Sequence, residues 1–540
     1  MAFTIGIIVA YFLVVAFLGY LGFRHTHDTK DYLIGGRKIN PIIMALSYGS
    51  TFISTSAIIG FGSAAAVHGM GLLWLTFLNI FVGIFVAFVI FGKRTRKIGH
   101  NLNSHTFPEL LGSRFKSTFI QKYSGVIVFA FMPLYAAAVM IGAAKLFSTA
   151  LSIDYNIALL FFAVITALYV SMGGIKGVMY TDAFQAGIMF FGMVILIIFT
   201  YNMLGGITPA HQKLTQLFAE LKGSEGLAGM EKGGFLGWTA MPAFGGTNWW
   251  KLVSSIVMGV GIGVLAQPQL VVRFMTVKSN RELNRAVPAG GIFILMMTGV
   301  AFVVGALSNR IFFDDIGKTA LAATIGADGK AVADNIIPLF IKEYMPQWFS
   351  AVFLVCMLSA GMSTLSAQMH AMGTAISRDI FKPKEKTATW FPKVGVLISI
   401  FITTLLAYYL PAIFKAEGML IIATGTALFF GLCAATFLPM YVGTLFFKKM
   451  PKVAAVSGML AGSLSSIFWM LFVHEAESKS LLICKTLFGV DTLAPVGTMW
   501  KMVDPIFIAL PISILVTVLV SIFAKKETDM VHINKAFDGI

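Results

Sequence analysis

Apolar stretches nearly free of charge follow one another along the whole chain, separated by short polar connections. Each is long enough to cross a bilayer as a helix, which needs about 20 residues. The pattern predicts thirteen such spans, near 1–22, 41–67, 70–92, 123–150, 156–173, 180–204, 249–272, 287–308, 348–376, 394–412, 418–442, 453–473 and 505–524. Two break the pattern. Leu46–Ala66, "LSYGSTFISTSAIIGFGSAAA", has a hydroxyl-rich middle and three glycines. Ser254–Phe274, "SSIVMGVGIGVLAQPQLVVRF", carries Gly259, Gly261 and Gly263 and then Gln267–Pro268. Glycine weakens a helix and proline removes a backbone donor. Bare backbone inside a bilayer is tolerated only where protein covers it or it lines a cavity. The two breaks fall in the second and seventh spans, where a pair of five-helix inverted repeats would each begin. Paired broken helices point to a transporter's binding site, although glycine-rich stretches also serve close helix packing. A third polar anomaly is "LSAGMSTLSAQMHAMGTAISRDIF", Leu358–Phe381, whose Ser359, Ser363, Thr364, Ser366 and Thr374 precede the first charge at Arg378.

Composition agrees with the spans. Of 540 residues 57% are hydrophobic and 12% charged, too little charge to cover a soluble protein of this size. The net charge of +16 would suggest nucleic acid if it were clustered on a soluble domain. Counted over alternate connections, however, Lys plus Arg number 25 in one set (24–40, 93–120, 174–179, 273–286, 378–388, 443–452 and the tail) and 11 in the other, longer set. By the positive-inside rule the N-terminus is outside and the C-terminus cytoplasmic, with membrane lipid rather than nucleic acid as the partner of those charges. The same count sets Cys484 at the outer face and Cys356 within a span. The first span lacks a basic n-region and a cleavage site, so it reads as a retained helix. The sequence reads as one membrane domain over 1–540, with about fifteen residues after the last span and so no room for an appended output domain.

Four stretches then carry a resemblance: "DYLIGGRKINP" after the first span, "GGIKGVMYTDAFQAGIM" opening the sixth, "QPQLVVRFMTVKSNRE" closing the seventh, and "MSTLSAQ" with "AISRDIF" in the ninth. Together they resemble the sodium:solute symporter family over roughly residues 5–470. The resemblance implies an all-α integral membrane protein with a LeuT-like core of five plus five inverted helices, here about 41–204 and 249–442, extended at both ends. It implies import of a small solute with sodium by alternating access in a bacterial inner membrane.

Carried over residue by residue, the family's sodium ligands would be the carbonyls of Ser50, Ile53 and Ala360 and the hydroxyls of Ser363 and Thr364. The residues themselves agree, since 360, 363 and 364 share a helical face and a hard cation wants several oxygens. Some members hold a second sodium with the residue matching Asp182 and three hydroxyls of the ninth span. Ser363 and Ser366 match, but the third position is Ala367, and Asp182 reads equally well as a helix-end acid. Matching solute positions are Ser54, Thr55, Ser56, Tyr135 and Gln267. Phe52 stands where proline carriers have Asp, and His370 reads as a packing histidine. His25 and His27 lack the further ligands that a metal needs. Nine scattered histidines and few buried acids supply no catalytic set, so an enzyme is not expected.

The pattern looks nearest the acetate, pantothenate and monocarboxylate permeases, because the first break offers only Ser and Thr where a sugar would need Asn, Gln and Glu. Proline, another amino acid, a sugar, or proton coupling are the alternatives. With Asp182, Ser363 and Ser366 as the candidate cage for a second ion, the expectation is sodium-coupled uptake of a small organic anion that generates inward current. The charge count also yields a topological prediction. A cysteine introduced into 93–120 is labelled by an impermeant thiol reagent only from the cytoplasmic side, and labelling on intact cells would reverse the orientation.

Overall fold

The computed structural model describes residues 2–24, 29–326, 329–381, 390–413, 421–526 and 529–540. His25 and His27 lie outside the described residues. Among these residues the architecture is all-helical, with eleven helices long and apolar enough to cross a membrane and one bent pair that makes a twelfth. We label them α1 (Ala2–Arg24), α2 and α3 (the bent pair Pro41–Phe52 and Ser56–His68), α4 (Met70–Asn101), α5 (Thr118–Leu151), α6 (the shorter Tyr155–Leu168), α7 (Gly174–Met203), α8 (Thr247–Ala266), α9 (Pro268–Phe274), α10 (Asn280–Ile316), α11 (Gln347–Ile380), α12 (Phe391–Ala412), α13 (Ile421–Phe446), α14 (Lys452–Phe472) and α15 (Ile506–Phe523). Each expected span has its helix.

Local chemistry sets the helix starts. Asn40 accepts the Ile42 N–H (2.9 Å) ahead of Pro41 at the first turn of α2. Ser117 and Ser279 cap α5 and α10 in the same way. Between α6 and α7 the helical run bends at Gly174, φ +55° and ψ −176°, a conformation closed to other residues. A Cβ there would also lie 2.8 Å from the Tyr32 ring.

Burial orders the layers. In α11, 89% of the most apolar stretch is buried, against 22% in α1 and 28% in α15. α11 is therefore the axis, while α1 and α15 turn Phe3, Phe17, Leu515 and Ile522 outward. Small residues bring the core helices close. A Cβ on Gly305 of α10 would fall 2.0 Å from the Gly62 carbonyl of α3, and one on Gly263 of α8 would fall 2.5 Å from the Phe430 carbonyl of α13.

At the end rich in Lys and Arg, loops and helix ends interlock. Arg37 donates to the carbonyls of Gly99 and Ser104, Arg94 to Leu445, and Arg114 to Lys448. The stretch 93–101, expected as a connection, instead continues α4 as a basic helical turn. At the opposite end Trp238 and Asn309 both donate to the Ala66 carbonyl (2.8 Å each), satisfying the last turn of α3. Cys484, expected to be reachable at a face, is buried with its thiol toward the Phe472 carbonyl.

The Gly62–Gly305 approach has a measurable consequence. Gly305→Ala forces α3 and α10 apart and is expected to destabilise the protein by ~1–3 kcal/mol, the usual cost of overpacking. Thermal unfolding of the purified protein in detergent reads it, and an unchanged melting temperature would remove the contact's importance.

Candidate functional site

The break between α2 and α3 bends the span by 53°. Ile53 is extended there (φ −88°, ψ 94°), so carbonyls at the end of α2 lose their helical donors. α11 supplies replacements. The Ser363 hydroxyl lies 2.9 Å from the Ser50 carbonyl and 3.2 Å from that of Ala360. The Thr364 hydroxyl lies 3.3 Å from the Ser50 carbonyl and 3.0 Å from that of Thr51. All five residues are buried. Four of the five expected sodium ligands thus meet, with Thr51 an unanticipated fifth member; Ile53 borders the neighbouring cavity. Oxygens held about 2.4 Å from a hard cation would be ~3.4 Å apart in an octahedral cage. The observed separations are slightly shorter, so a sodium ion fits with a small outward shift of the hydroxyls.

One turn closer to the basic end sits a buried charge pair. Arg273 of α9 places Nη2 3.0 Å from Asp182 Oδ2 of α7. The same guanidinium donates to Thr51 Oγ1 (2.6 Å) and Ser47 Oγ (3.0 Å), and Ser47 donates to Asp182 at 2.7 Å. Both broken spans are thereby tied to α7. Asp182 was expected beside Ser363 and Ser366. Its partners among the described residues are instead Ser47, Thr51 and Arg273, while the Ser366 hydroxyl donates to the Ser363 carbonyl. Asp182 Oδ1 has no hydrogen-bond partner among the described residues. Arg273 lies in the stretch "QPQLVVRFMTVKSNRE", where nothing in the sequence alone assigns it a partner. A basic residue inside an apolar run was the signal.

The expected solute residues separate. Ser54, Ser56 and Tyr135 border one small cavity between the first break, α8 and α13, closed by Phe52, Phe302 and Phe430. It leaves about 10 Å³ for a water's centre, room for little more than one molecule. The Ser54 and Ser56 hydroxyls bond each other. Tyr135 sits edge-on to Phe430, ring centroids 5.2 Å apart. Thr55 turns away and donates to the Val139 carbonyl of α5 (2.7 Å). Gln267, extended at the second break, donates to the Gly263 carbonyl (3.2 Å). Asn79, Thr298 and Thr426 complete the cavity's polar wall. No spacing in the sequence could have gathered them, because they come from three different helices.

A latch closes the basic end. Arg378 grips Glu109 with two hydrogen bonds (2.9 and 3.0 Å) and lies 2.9 Å from His105 Nδ1. Burial would raise the Glu109 carboxyl, but the His105 and Arg378 donors outweigh it and bring it down to about 2. Glu109 therefore stays ionised throughout the neutral range.

Removing one member of a buried pair leaves the other uncompensated, at a cost of about 3–5 kcal/mol. Arg273→Met is accordingly expected to lower thermal stability sharply, and Arg273→Met with Asp182→Asn to recover much of it. Equal losses in the single and double variants would show that the pair does not act as a unit.

The chain's likeness to known proteins follows this geometry. The model of the sodium:solute symporter family matches residues 32–462. The sodium/proline symporter of Escherichia coli (strain K12) is 25% identical over 84% of this chain and 85% of its own length. The sodium/pantothenate symporter of Haemophilus influenzae (strain ATCC 51907 / DSM 11121 / KW20 / Rd) is 28% identical over 85% and 89%. Among solved structures, a Na+-coupled sialic acid symporter in a substrate-bound, outward-open state superposes with a TM-score of 0.72 at 16% identity, covering 97% of this chain and 98% of the other. The fold is thus LeuT-like, and the match over most of the chain carries the conclusion: the protein belongs to the sodium:solute symporter family.

Proposed function

We propose that this sodium-coupled symporter imports a small monocarboxylate, with one sodium ion held by Ser50, Ala360, Ser363, Thr364 and the Thr51 carbonyl. The observation that carries the solute class is the cavity at the first break. Serine, threonine, asparagine and tyrosine line it with aromatic and aliphatic groups, and none of its lining residues is acidic or basic. Once opened beyond the single-water volume seen here, the cavity could meet a carboxylate with hydroxyl donors and the N-terminal end of α3. The ammonium of an amino acid would want an acid, and Phe52 occupies the place where one would help. Transport of proline is the second reading, favoured by the names of several relatives, the Escherichia coli sodium/proline symporter among them. The basic end of the bundle is assigned to the cytoplasm.

A single ion follows from Asp182. Arg273 already neutralises its carboxylate through Oδ2, so a second cation at the free Oδ1 would sit against the guanidinium's charge. One sodium with one monocarboxylate is electroneutral, and the driving force is the sodium gradient, about 1.4 kcal/mol per tenfold.

Sodium-driven uptake of labelled solutes into proteoliposomes tests the reading. A short-chain monocarboxylate is expected to accumulate without current in solid-supported-membrane recordings. Inward current would mean a second sodium, and preference for proline would move the solute to the second reading. Ser363→Ala with Thr364→Val is expected to raise the external sodium needed for half-maximal uptake by about tenfold or more. An unchanged requirement in the folded double variant would reject the cage.

A further inference from the structure

Below the sodium cage a second cavity runs along α11 toward the basic end. Ala367, Ala371 and Ala375 leave space on one helical face, Gln269 and Arg273 of α9 stand opposite, and Asp379 lies at its far end. Thr364, Ala371, Ala375 and Asp379 fall at helical spacing, so the groove continues the stripe that begins at the cage.

Asp379 is fully buried and held in place. Its Oδ1 accepts from Thr106 (2.8 Å) and from Gln121 (3.0 Å). Gly125 of α5 makes that approach possible, since a Cβ there would be 2.9 Å from the Asp379 Cβ. Its Oδ2 has no hydrogen-bond partner among the described residues, and neither has Gln269 Oε1, also buried and bordering the same cavity. The basic groups nearby are engaged: Arg273 with Asp182, Arg378 with Glu109. Asp379 is left as the one acid lining the cavity, and it has no ion-pair partner among the described residues. A buried carboxylate with a free oxygen, in a cavity that a free carbonyl oxygen also borders, favours a small cation.

We propose that Asp379 Oδ2 forms an inner way station where sodium rests between the cage and the cytoplasm, with Gln269 Oε1 a further free oxygen along the same cavity. The Arg378–Glu109 fork lies beneath as the barrier to release. The inference rests on the cage and orientation proposed above. A sodium ion leaving Ser363 and Thr364 would pass Thr51, which touches both the cage and the Asp182–Arg273 pair, and then enter this groove.

The test separates the two sides of the membrane. In oriented proteoliposomes, lumenal sodium facing the basic end inhibits solute uptake by binding from inside. Asp379→Asn keeps the oxygen that Thr106 and Gln121 use while removing the charge. It is expected to raise the half-inhibitory lumenal sodium about tenfold, leaving the external requirement within about twofold. Gln269→Glu adds a charge and is expected to shift lumenal inhibition the opposite way, which keeps the proposal testable should Asp379→Asn fold poorly. Unchanged lumenal inhibition in both folded variants, or equal shifts on both sides, would overturn the way station. The external requirement of the Ser363→Ala, Thr364→Val double variant reports on the cage separately.

Discussion

The structure depends on backbone carbonyls that have no helix to bond within and no water to turn to. Breaking the span between α2 and α3 frees carbonyls at Ser50 and Thr51 in the middle of the fold, where each unpaired group would cost several kcal/mol. Hydroxyls from α11 answer them at 2.9–3.3 Å. The same oxygens would form the proposed cation cage once the hydroxyl protons rotated away, so the structural repair and the proposed ion site are one arrangement. Sodium binding there would exchange one set of partners for another without burying an unpaired group.

The Asp182–Arg273 pair solves a related problem for charge. An isolated carboxylate or guanidinium at this depth would be prohibitive, and a pair alone is often no better than neutral. Ser47 and Thr51 add hydrogen bonds from the first broken span, so the pair joins α2, α7 and α9 at one point. Thr51 belongs to both clusters. Movement of α2 relative to α7 must therefore disturb the hydroxyl–carbonyl cluster and the ion pair together.

Close helix approaches make such clusters accurate to tenths of an ångström. Glycine faces glycine where α3 meets α10, and Gly125 admits Asp379 to the side of α5. Positions of this kind are recognisable in sequence only as glycines in helices. Their partners are distant in the chain, and what they admit is decided by packing.

Much of this was legible in the residues alone. Of thirteen apolar runs read from the sequence, twelve became spans among the described residues and the thirteenth the shorter helix Tyr155–Leu168, because hydrophobic length and period are local properties. The two breaks were legible for the same reason: glycine, proline and clustered hydroxyls act on their own segment. The face shared by Ala360, Ser363 and Thr364 followed from helical spacing. Tertiary structure decided the partners. Arg273 finds Asp182 across 91 positions, and Thr51, rather than Ile53, completes the cluster opposite α11. Thr55 and Gln267 look equivalent to Ser54 and Tyr135 in a sequence, yet the bend turns their side chains to backbone carbonyls and away from the cavity. Which way a side chain points at a broken helix depends on the neighbours packed against the break, and no local pattern encodes those.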